Sequence, residues 1–196
     1  VMSLEEALEL TRVRILVNID KFTQHPREIL EAVDKVGALK EVLVKSTLSA
    51  EDAKALFGDY WKRVESGELL YMPVVQFCWG KDKFAEKILP GYVALEPRQS
   101  SMYEICLKDE ASISKLDLVK NASGRPRIWI NTMWDVLAAG RGEADRALPK
   151  GKVLRLVEPD AVWGRALGWG ATMIQTDYGA ELLVYLNRIG RHDLGK

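Results

Sequence analysis

The chain contains few of the residues that support redox or histidine-based chemistry. Among 196 residues there are two cysteines and two histidines. Cys78 and Cys106 lie in apolar surroundings without C-x-x-C spacing, which favours two buried free thiols over a disulfide or a metal clip. His25 precedes Pro26 in a predicted loop and His192 lies in the C-terminal tail, so both are predicted to be surface side chains. Neither residue type points to a catalytic centre in this chain.

An excess of charge and a long apolar run are also absent. Lys plus Arg and Asp plus Glu number 28 each, so the formal net charge is zero. Without a long-range field of one sign, we predict no nucleic-acid or anionic-membrane partner. No apolar run approaches the roughly 20 residues that span a bilayer, and no signal peptide is visible. The length predicts one domain over residues 1–196, because a domain typically has about 150 residues.

Apolar runs that end in a polar residue recur along the chain. The clearest is Val13–Asp20, which Lys21 follows, and weaker examples are residues 42–45, 74–76, 93–96 and 128–131. Short apolar runs separated by helix-like stretches predict strands of a parallel sheet. About six strand–helix units predict an α/β fold, and either a doubly wound sheet or a β/α barrel satisfies this alternation. Chemistry in such sheets gathers at the carboxyl ends of the strands.

Local signals predict where the elements begin and end. Ser3 followed by Glu6 resembles a capping box, Ser49 is predicted to be a second cap, and Pro26 and Gly37 are predicted to begin and close a helix. Strands are predicted over residues 13–20, 41–45, 70–77, 92–96, 127–131 and 171–175, while 100–107 is ambiguous. Helices are predicted over residues 26–36, 50–66, 82–89, 112–120, 158–168 and 180–189. Residues 138–152 are predicted to form a loop or an excursion from the core.

The polar residues at strand ends are the candidate site residues. Asp20 would either bind a hard divalent cation, which prefers carboxylate oxygens, or pair with Lys21 or cap the next helix. Lys21 and Lys45 would bind a phosphate, form a Schiff base, or neutralise a carboxylate. Glu96 ends its predicted strand close to Arg98, and an internal ion pair is the simpler interpretation of these two. No G-x-G-x-x-G, P-loop, G-x-S-x-G or H-E-x-x-H motif is present.

Three segments in register resemble the glycerophosphodiester phosphodiesterase family. Leu4-Glu-Glu-Ala-Leu-Glu-Leu10 and the strand ending in Asp20 are similar to that family's P-T-L-E-E-x-L helix and its metal-binding strand. Arg127-Ile-Trp-Ile-Asn131-Thr132 resembles its W-T-V-N strand, although the spacing differs by one residue. Gly170-Ala-Thr-Met-Ile-Gln-Thr176-Asp177 resembles its closing G-x-D-x-I-x-T-D strand. The order of these segments agrees across nearly the whole chain.

The resemblance implies an incomplete TIM-type (β/α) barrel that is the C-terminal part of a phosphodiesterase domain. The implied activity is metal-dependent hydrolysis of a small phosphodiester to glycerol 3-phosphate and an alcohol, in a secreted or periplasmic setting. Asp20 would bind a divalent cation, Mg²⁺ or Ca²⁺, as a shorter substitute for the usual Glu. The predicted substrate-binding residues, taken from the strand ends and this resemblance, are Lys21, Lys45, Glu96, Arg98 and Asn131.

The chain departs from the family at its catalytic histidines. The family's H-R-G strand and H-D pair precede the segment that matches residue 4, so we predict no catalytic residue within this chain and no activity on its own. An open barrel edge would be covered by missing sequence or by a second copy of the chain. Two alternatives stay open at this point: a Schiff-base lyase of the aldolase kind that uses Lys45, and a non-catalytic anion-binding barrel domain.

Overall fold

The computed structural model describes residues 1–95, 101–122, 124–140, 142–143, 147–148, 152–153 and 158–191. The chain divides into two compact units. The first unit contains Val1–Val75 and Phe84–Tyr103, and the second contains Gln76–Lys83 and Glu104–Lys196. The unit boundaries therefore fall inside secondary-structure elements rather than in linkers.

The first unit alternates helices and strands from its N-terminus. Its elements are, in chain order, α1 Leu4–Thr11, β1 Val17–Ile19, α2 Pro26–Lys35, β2 Val42–Ser46, α3 Ala50–Phe57, α4 Trp61–Ser66, most of β3 Leu70–Phe77 and most of α5 Asp82–Val93. Short 3₁₀ turns occupy Phe22–Gln24, Leu39–Glu41 and Gly58–Tyr60.

The second unit continues the alternation with shorter helices. After β4 Met102–Leu107 come a 3₁₀ turn Glu110–Lys115, α6 Leu116–Lys120, β5 Arg127–Asn131 and a 3₁₀ turn Asp135–Leu137. A small pair of strands follows, β6 Ala147–Leu148 and β7 Lys152–Val153. A π-helical turn Asp160–Gly164 then continues as α7 Arg165–Gly168, and β8 Met173–Gln175 and α8 Gly179–Arg188 complete the described elements.

The six main strands are hydrogen-bonded in the order β1-β2-β3-β4-β5-β8. β1 pairs with β2 in parallel, with Val17 opposite Val42, and β2 pairs with β3 in parallel. β5 and β8 are also parallel neighbours, with Asn131 opposite Gln175. β6 and β7 form a separate antiparallel pair. The prediction of an α/β fold with six parallel strands is confirmed.

The predicted helix caps are present. Ser3 accepts from the amide of Glu6 at 3.2 Å while the Glu6 carboxylate accepts from the Ser3 amide at 2.7 Å, which completes the capping box. Ser49 caps α3 through the amide of Asp52 at 3.1 Å. Gly37 follows α2 with φ +68°, a left-handed conformation that glycine adopts without steric cost.

The core of the first unit is built on β2 and a group of aromatic rings. The apolar residues of β2 are fully buried, as a strand covered on both faces requires. The rings of Phe57 and Tyr71 lie 5.1 Å apart in an edge-to-face arrangement. A chain of buried hydroxyl groups joins Ser46, Tyr71 and Tyr92 at 2.7 Å each and ends on the carbonyl oxygen of Leu48 at 3.0 Å. Desolvation raises the pKa of both tyrosines above the usual value.

The second unit has a smaller cluster between its π-helical turn and α8. Val162, Trp163, Leu182 and Tyr185 are buried together there. The Tyr185 hydroxyl donates to Asp160 Oδ1 at 2.6 Å. Burial, followed by this hydrogen bond and the carboxylate charge, raises the pKa of Tyr185 to about 12.

Several predicted boundaries are wrong, and the strand predicted over residues 92–96 is the largest error. α5 continues through Pro90 to Val93, because the Ala94 amide still bonds to the Pro90 carbonyl at 3.0 Å and Tyr92 is anchored by its hydroxyl bonds. The strand lies instead at Met102–Leu107, in the segment that was ambiguous. β1 begins at Val17 rather than at Val13, which has φ +55° in a turn.

Two further expectations concern membrane and thiol chemistry. Within the described ranges, no helix has both the length and the apolar character needed to cross a bilayer. Cys78 and Cys106 are buried thiols that do not form a disulfide, as predicted. A hydrogen bond with Cys106 lowers the pKa of the Cys78 thiol. The predicted loop over residues 138–152 contains the short strand β6 and the start of β7.

Candidate functional site

Three of the predicted site residues lie in the first unit, near the carboxyl ends of β1 and β2. Asp20 follows β1 directly and is exposed. Lys21 is also exposed and has φ +53°, an uncommon conformation for a side chain with a Cβ atom. Lys45 is half-buried within β2. Ile19 lies opposite Val44 in the parallel pair of β1 and β2. Asp20 and Lys45 each come one residue later, so the same register would place them opposite each other.

The remaining predicted residues are divided between the second unit and the undescribed part of the chain. Asn131 ends β5 and is 6% exposed. Glu96, Arg98 and His192 lie outside the described residues. His25 is exposed beside the first turn of α2, as predicted for a surface histidine.

The predicted cation has no complete ligand set in the part of the chain that the structure describes. No group of three or more His, Cys, Asp or Glu side chains there is arranged to hold a metal ion. Ca²⁺ takes six to eight oxygen ligands and Mg²⁺ takes six, so the single exposed carboxylate of Asp20 does not form a site alone. Asp20 as a metal ligand and Lys45 as an imine-forming residue both stay predictions.

Asn131 has the most distinctive polar geometry at a strand end. Its Oδ1 accepts from the backbone amide of Met133 at 3.0 Å, which determines the orientation of the side-chain amide. Among the described residues, its NH₂ group has no hydrogen-bond partner. The NH₂ group of this largely buried residue, at the carboxyl end of a parallel strand, is a donor suited to a phosphate oxygen. Asn131, which the sequence predicted as a site residue, therefore carries a hydrogen-bond donor that no described residue uses.

Glu143 is a buried carboxylate that is hydrogen-bonded to Thr132, the residue that follows Asn131. It is 2% exposed, and its Oε1 accepts from Thr132 Oγ1 at 2.5 Å and from Trp163 Nε1 at 2.6 Å. Its Oε2 accepts from the backbone amide of Asp177 at 3.4 Å. Thr132 Oγ1 also lies 3.0 Å from the carbonyl oxygen of Gln175, the alternative acceptor for its single hydroxyl proton. Glu143 thus ties the segment after β5 to the end of β8 and to the π-helical turn.

A glycine allows the segment that carries Glu143 to approach β5. A Cβ atom at Gly142 would lie 2.4 Å from the carbonyl carbon of Trp134, a distance that real Cβ contacts do not show. The Gly142 amide donates to Asp135 Oδ1 at 2.7 Å. Only glycine fits this close backbone approach, so residues 142 and 143 are held against the loop that follows Asn131.

The turn after β3 places a tryptophan in an unfavourable backbone conformation. Trp79 has φ +52° and Gly80 has φ +71°, and the Lys81 amide donates to the Cys78 carbonyl at 3.0 Å. Positive φ at both central residues is the signature of a type I′ turn, in which Asn-Gly is preferred. The side chain of Trp79 is 53% exposed, so burial does not compensate for this conformation.

Sequence reasoning missed Glu143, Thr132 and the conformation of Trp79. Glu143 lies in a stretch rich in Gly and charged residues that was predicted to be a loop, and no periodic pattern marks one of its acids as buried. Thr132 follows the W-T-V-N-like segment directly, and its position after Asn131 was the available signal. A tryptophan before a glycine at a strand end was also readable from the sequence as a turn signal.

These observations define an α/β domain with parallel strands and a polar cluster at the carboxyl ends of β5 and β8. Residues 71–186 match the profile of the DUF4996 family, which is described as a domain of unknown function. The match covers more than half of the chain, so the chain belongs to this family. It includes Trp79, Asn131 and Glu143. A search of curated proteins found no match.

Proposed function

We propose that this chain is a phosphodiester-binding β/α domain of the incomplete TIM-barrel type, related to the glycerophosphodiester phosphodiesterases. The observation that carries the proposal is the NH₂ donor of Asn131 at the carboxyl end of β5, which bonds to none of the described residues. Phosphate oxygens accept from such donors, and ligands of parallel α/β sheets bind outside the carboxyl ends of the strands.

The fold of the three motif segments supports the same proposal. The segments that resemble the family form β1, β5 and β8, each a strand of the parallel sheet. Their polar residues Asp20, Asn131 and Asp177 all come at or just after the carboxyl end of a strand. The order of the strands in the glycerophosphodiester phosphodiesterases predicts this placement. The placement does not depend on that family's catalytic histidines, which lie outside the three matched segments.

In this proposal the chain contributes binding groups rather than an acid–base pair. General acid–base hydrolysis of a phosphodiester needs proton donors and acceptors within hydrogen-bond reach of the reacting oxygens. The described residues include one histidine, His25, which is exposed beside α2. We therefore expect the 196-residue chain to bind glycerol 3-phosphate and glycerophosphocholine without hydrolysing the latter.

The test uses the chain and its Asn131→Asp variant. Aspartate keeps the acceptor for the Met133 amide, but it replaces the NH₂ donor by a second oxygen and repels a phosphate. We expect glycerol 3-phosphate to raise the melting temperature of the unaltered chain, and calorimetric titration to show at least a tenfold loss of affinity in Asn131→Asp.

Asn187→Asp, at an exposed asparagine on α8, is a matched control that should leave the affinity unchanged. If glycerol 3-phosphate, glycerophosphocholine and glycerophosphoinositol all leave the melting temperature unchanged, the proposal is wrong. Equal affinity in Asn131→Asp would remove the observation that carries it.

A further inference from the structure

Trp79 is the least expected residue at the carboxyl end of a strand. The type I′ turn at residues 78–81 requires φ above zero at Trp79, where a bulky side chain is disfavoured. Its indole is more than half exposed. Packing therefore does not explain why tryptophan rather than asparagine occupies this position, and strained residues of this kind cluster at ligand sites.

From this geometry we infer that Trp79 is a stacking platform for the head group of the bound phosphodiester. The inference rests on the proposed function and names its substrate class. An exposed indole at a strand end presents a flat apolar face, which stacks on the face of a ring. The substrate class is a phosphodiester whose alcohol carries an uncharged ring, such as a cyclic polyol.

The charges around the turn disfavour a cationic head group. Lys81 closes the turn through its backbone amide and is exposed. The nearby carboxylate of Asp82 is engaged by Lys108 Nζ at 2.7 Å, and this hydrogen bond lowers the pKa of Asp82. The turn thus has an exposed ammonium two residues after Trp79, while its carboxylate is already paired with Lys108, and this charge balance favours an uncharged ring over a trimethylammonium group.

Trp79→Asn separates a structural role of the side chain from a binding role. Asparagine followed by Gly80 is a preferred type I′ turn pair, so this variant relieves the backbone while removing the indole. We expect a melting temperature equal to or above that of the unaltered chain. A side chain present for stability would give the opposite result.

The binding measurement compares three probes by calorimetric titration: glycerol 3-phosphate, glycerophosphocholine and glycerophosphoinositol. We expect glycerophosphoinositol to bind the unaltered chain at least tenfold more tightly than glycerophosphocholine, and this preference to disappear in Trp79→Asn. Trp79→Phe keeps an aromatic face and should retain part of the preference. Phe84→Gln, at an exposed aromatic residue on the helical backbone of α5, should leave all three affinities unchanged.

The outcomes separate this inference from the proposal on which it rests. Binding of glycerol 3-phosphate without any gain from the inositol ring, or a ring preference that persists in Trp79→Asn, would overturn only the role of Trp79. A lower melting temperature in Trp79→Asn would also overturn it, because the side chain would then be structural. If none of the three probes binds, the proposed function and this inference fail together.

Discussion

Replacing the buried carboxylate of Glu143 tests whether the polar cluster at the ends of β5 and β8 holds the second unit together. In Glu143→Ala, Thr132 keeps the Gln175 carbonyl as a partner at 3.0 Å, but the indole N–H of the buried Trp163 loses its acceptor. The Asp177 amide also loses a partner, although its 3.4 Å bond is long.

The expected cost follows from these contacts. A buried donor left unsatisfied costs about 1–3 kcal/mol, and hydrogen bonds to a charged group contribute about 1.5–3 kcal/mol. Leaving the Trp163 N–H without its acceptor should cost close to the upper end of these ranges, and losing the longer Asp177 hydrogen bond should cost less. We therefore expect the free energy of unfolding to fall by about 2–4 kcal/mol in total. That is a large fraction of the roughly 5–15 kcal/mol by which domains are stable.

Urea unfolding followed by tryptophan fluorescence measures this free energy of unfolding. Glu143→Gln keeps one oxygen for Thr132 and Trp163 but places an NH₂ group toward the Asp177 amide, so its loss should be intermediate, about 1–2 kcal/mol. Glu9→Ala, at an exposed glutamate on α1, should change stability by less than about 0.5 kcal/mol. A Glu143→Ala variant as stable as the control would refute the reasoning.

Two further predictions concern the contact between the π-helical turn and α8. Gly164→Ala should reduce stability by about 1–3 kcal/mol in urea, because its Cβ atom would lie 2.6 Å from the Tyr185 hydroxyl; an unchanged midpoint would contradict the geometry. Burial and Asp160 raise the pKa of Tyr185 to about 12, above the roughly 10 of an unfolded tyrosine. The stability from this group should therefore be complete below pH 10 and be lost as the pH rises toward 12, and Tyr185→Phe should show a smaller loss over that range.

The sequence predicted the elements whose signals are local. The capping box at Ser3, the cap at Ser49 and the left-handed Gly37 each depend on residues within a few positions, and all are present in the structure. β2 and β3 were also predicted closely, because buried parallel strands produce continuous apolar runs. Neighbouring residues were sufficient to predict an element wherever no contact with a distant residue decides its backbone conformation.

Errors occurred where a distant contact decided the conformation. Pro90 and Gly91 predicted the end of a helix, but Tyr92 extends α5 by bonding to Tyr71 and to the Leu48 carbonyl, which are far away in sequence. Glu143 became a site residue only through Thr132, which follows β5, and Trp163 in the π-helical turn. Asn131 was predicted from its place at a strand end and from the resemblance, whereas the orientation of its side-chain amide depends on the hydrogen bond that its Oδ1 accepts from the Met133 amide.

The division of the chain has a consequence for how its parts can be obtained. β3 and α5 each supply residues to both compact units, since the boundaries fall at positions 75/76 and 83/84. No single cleavage yields either unit as one continuous polypeptide. A truncation that ends between β3 and β4 would therefore remove residues from each half, and partial expression of this protein is a poor route to an isolated, independently folding module.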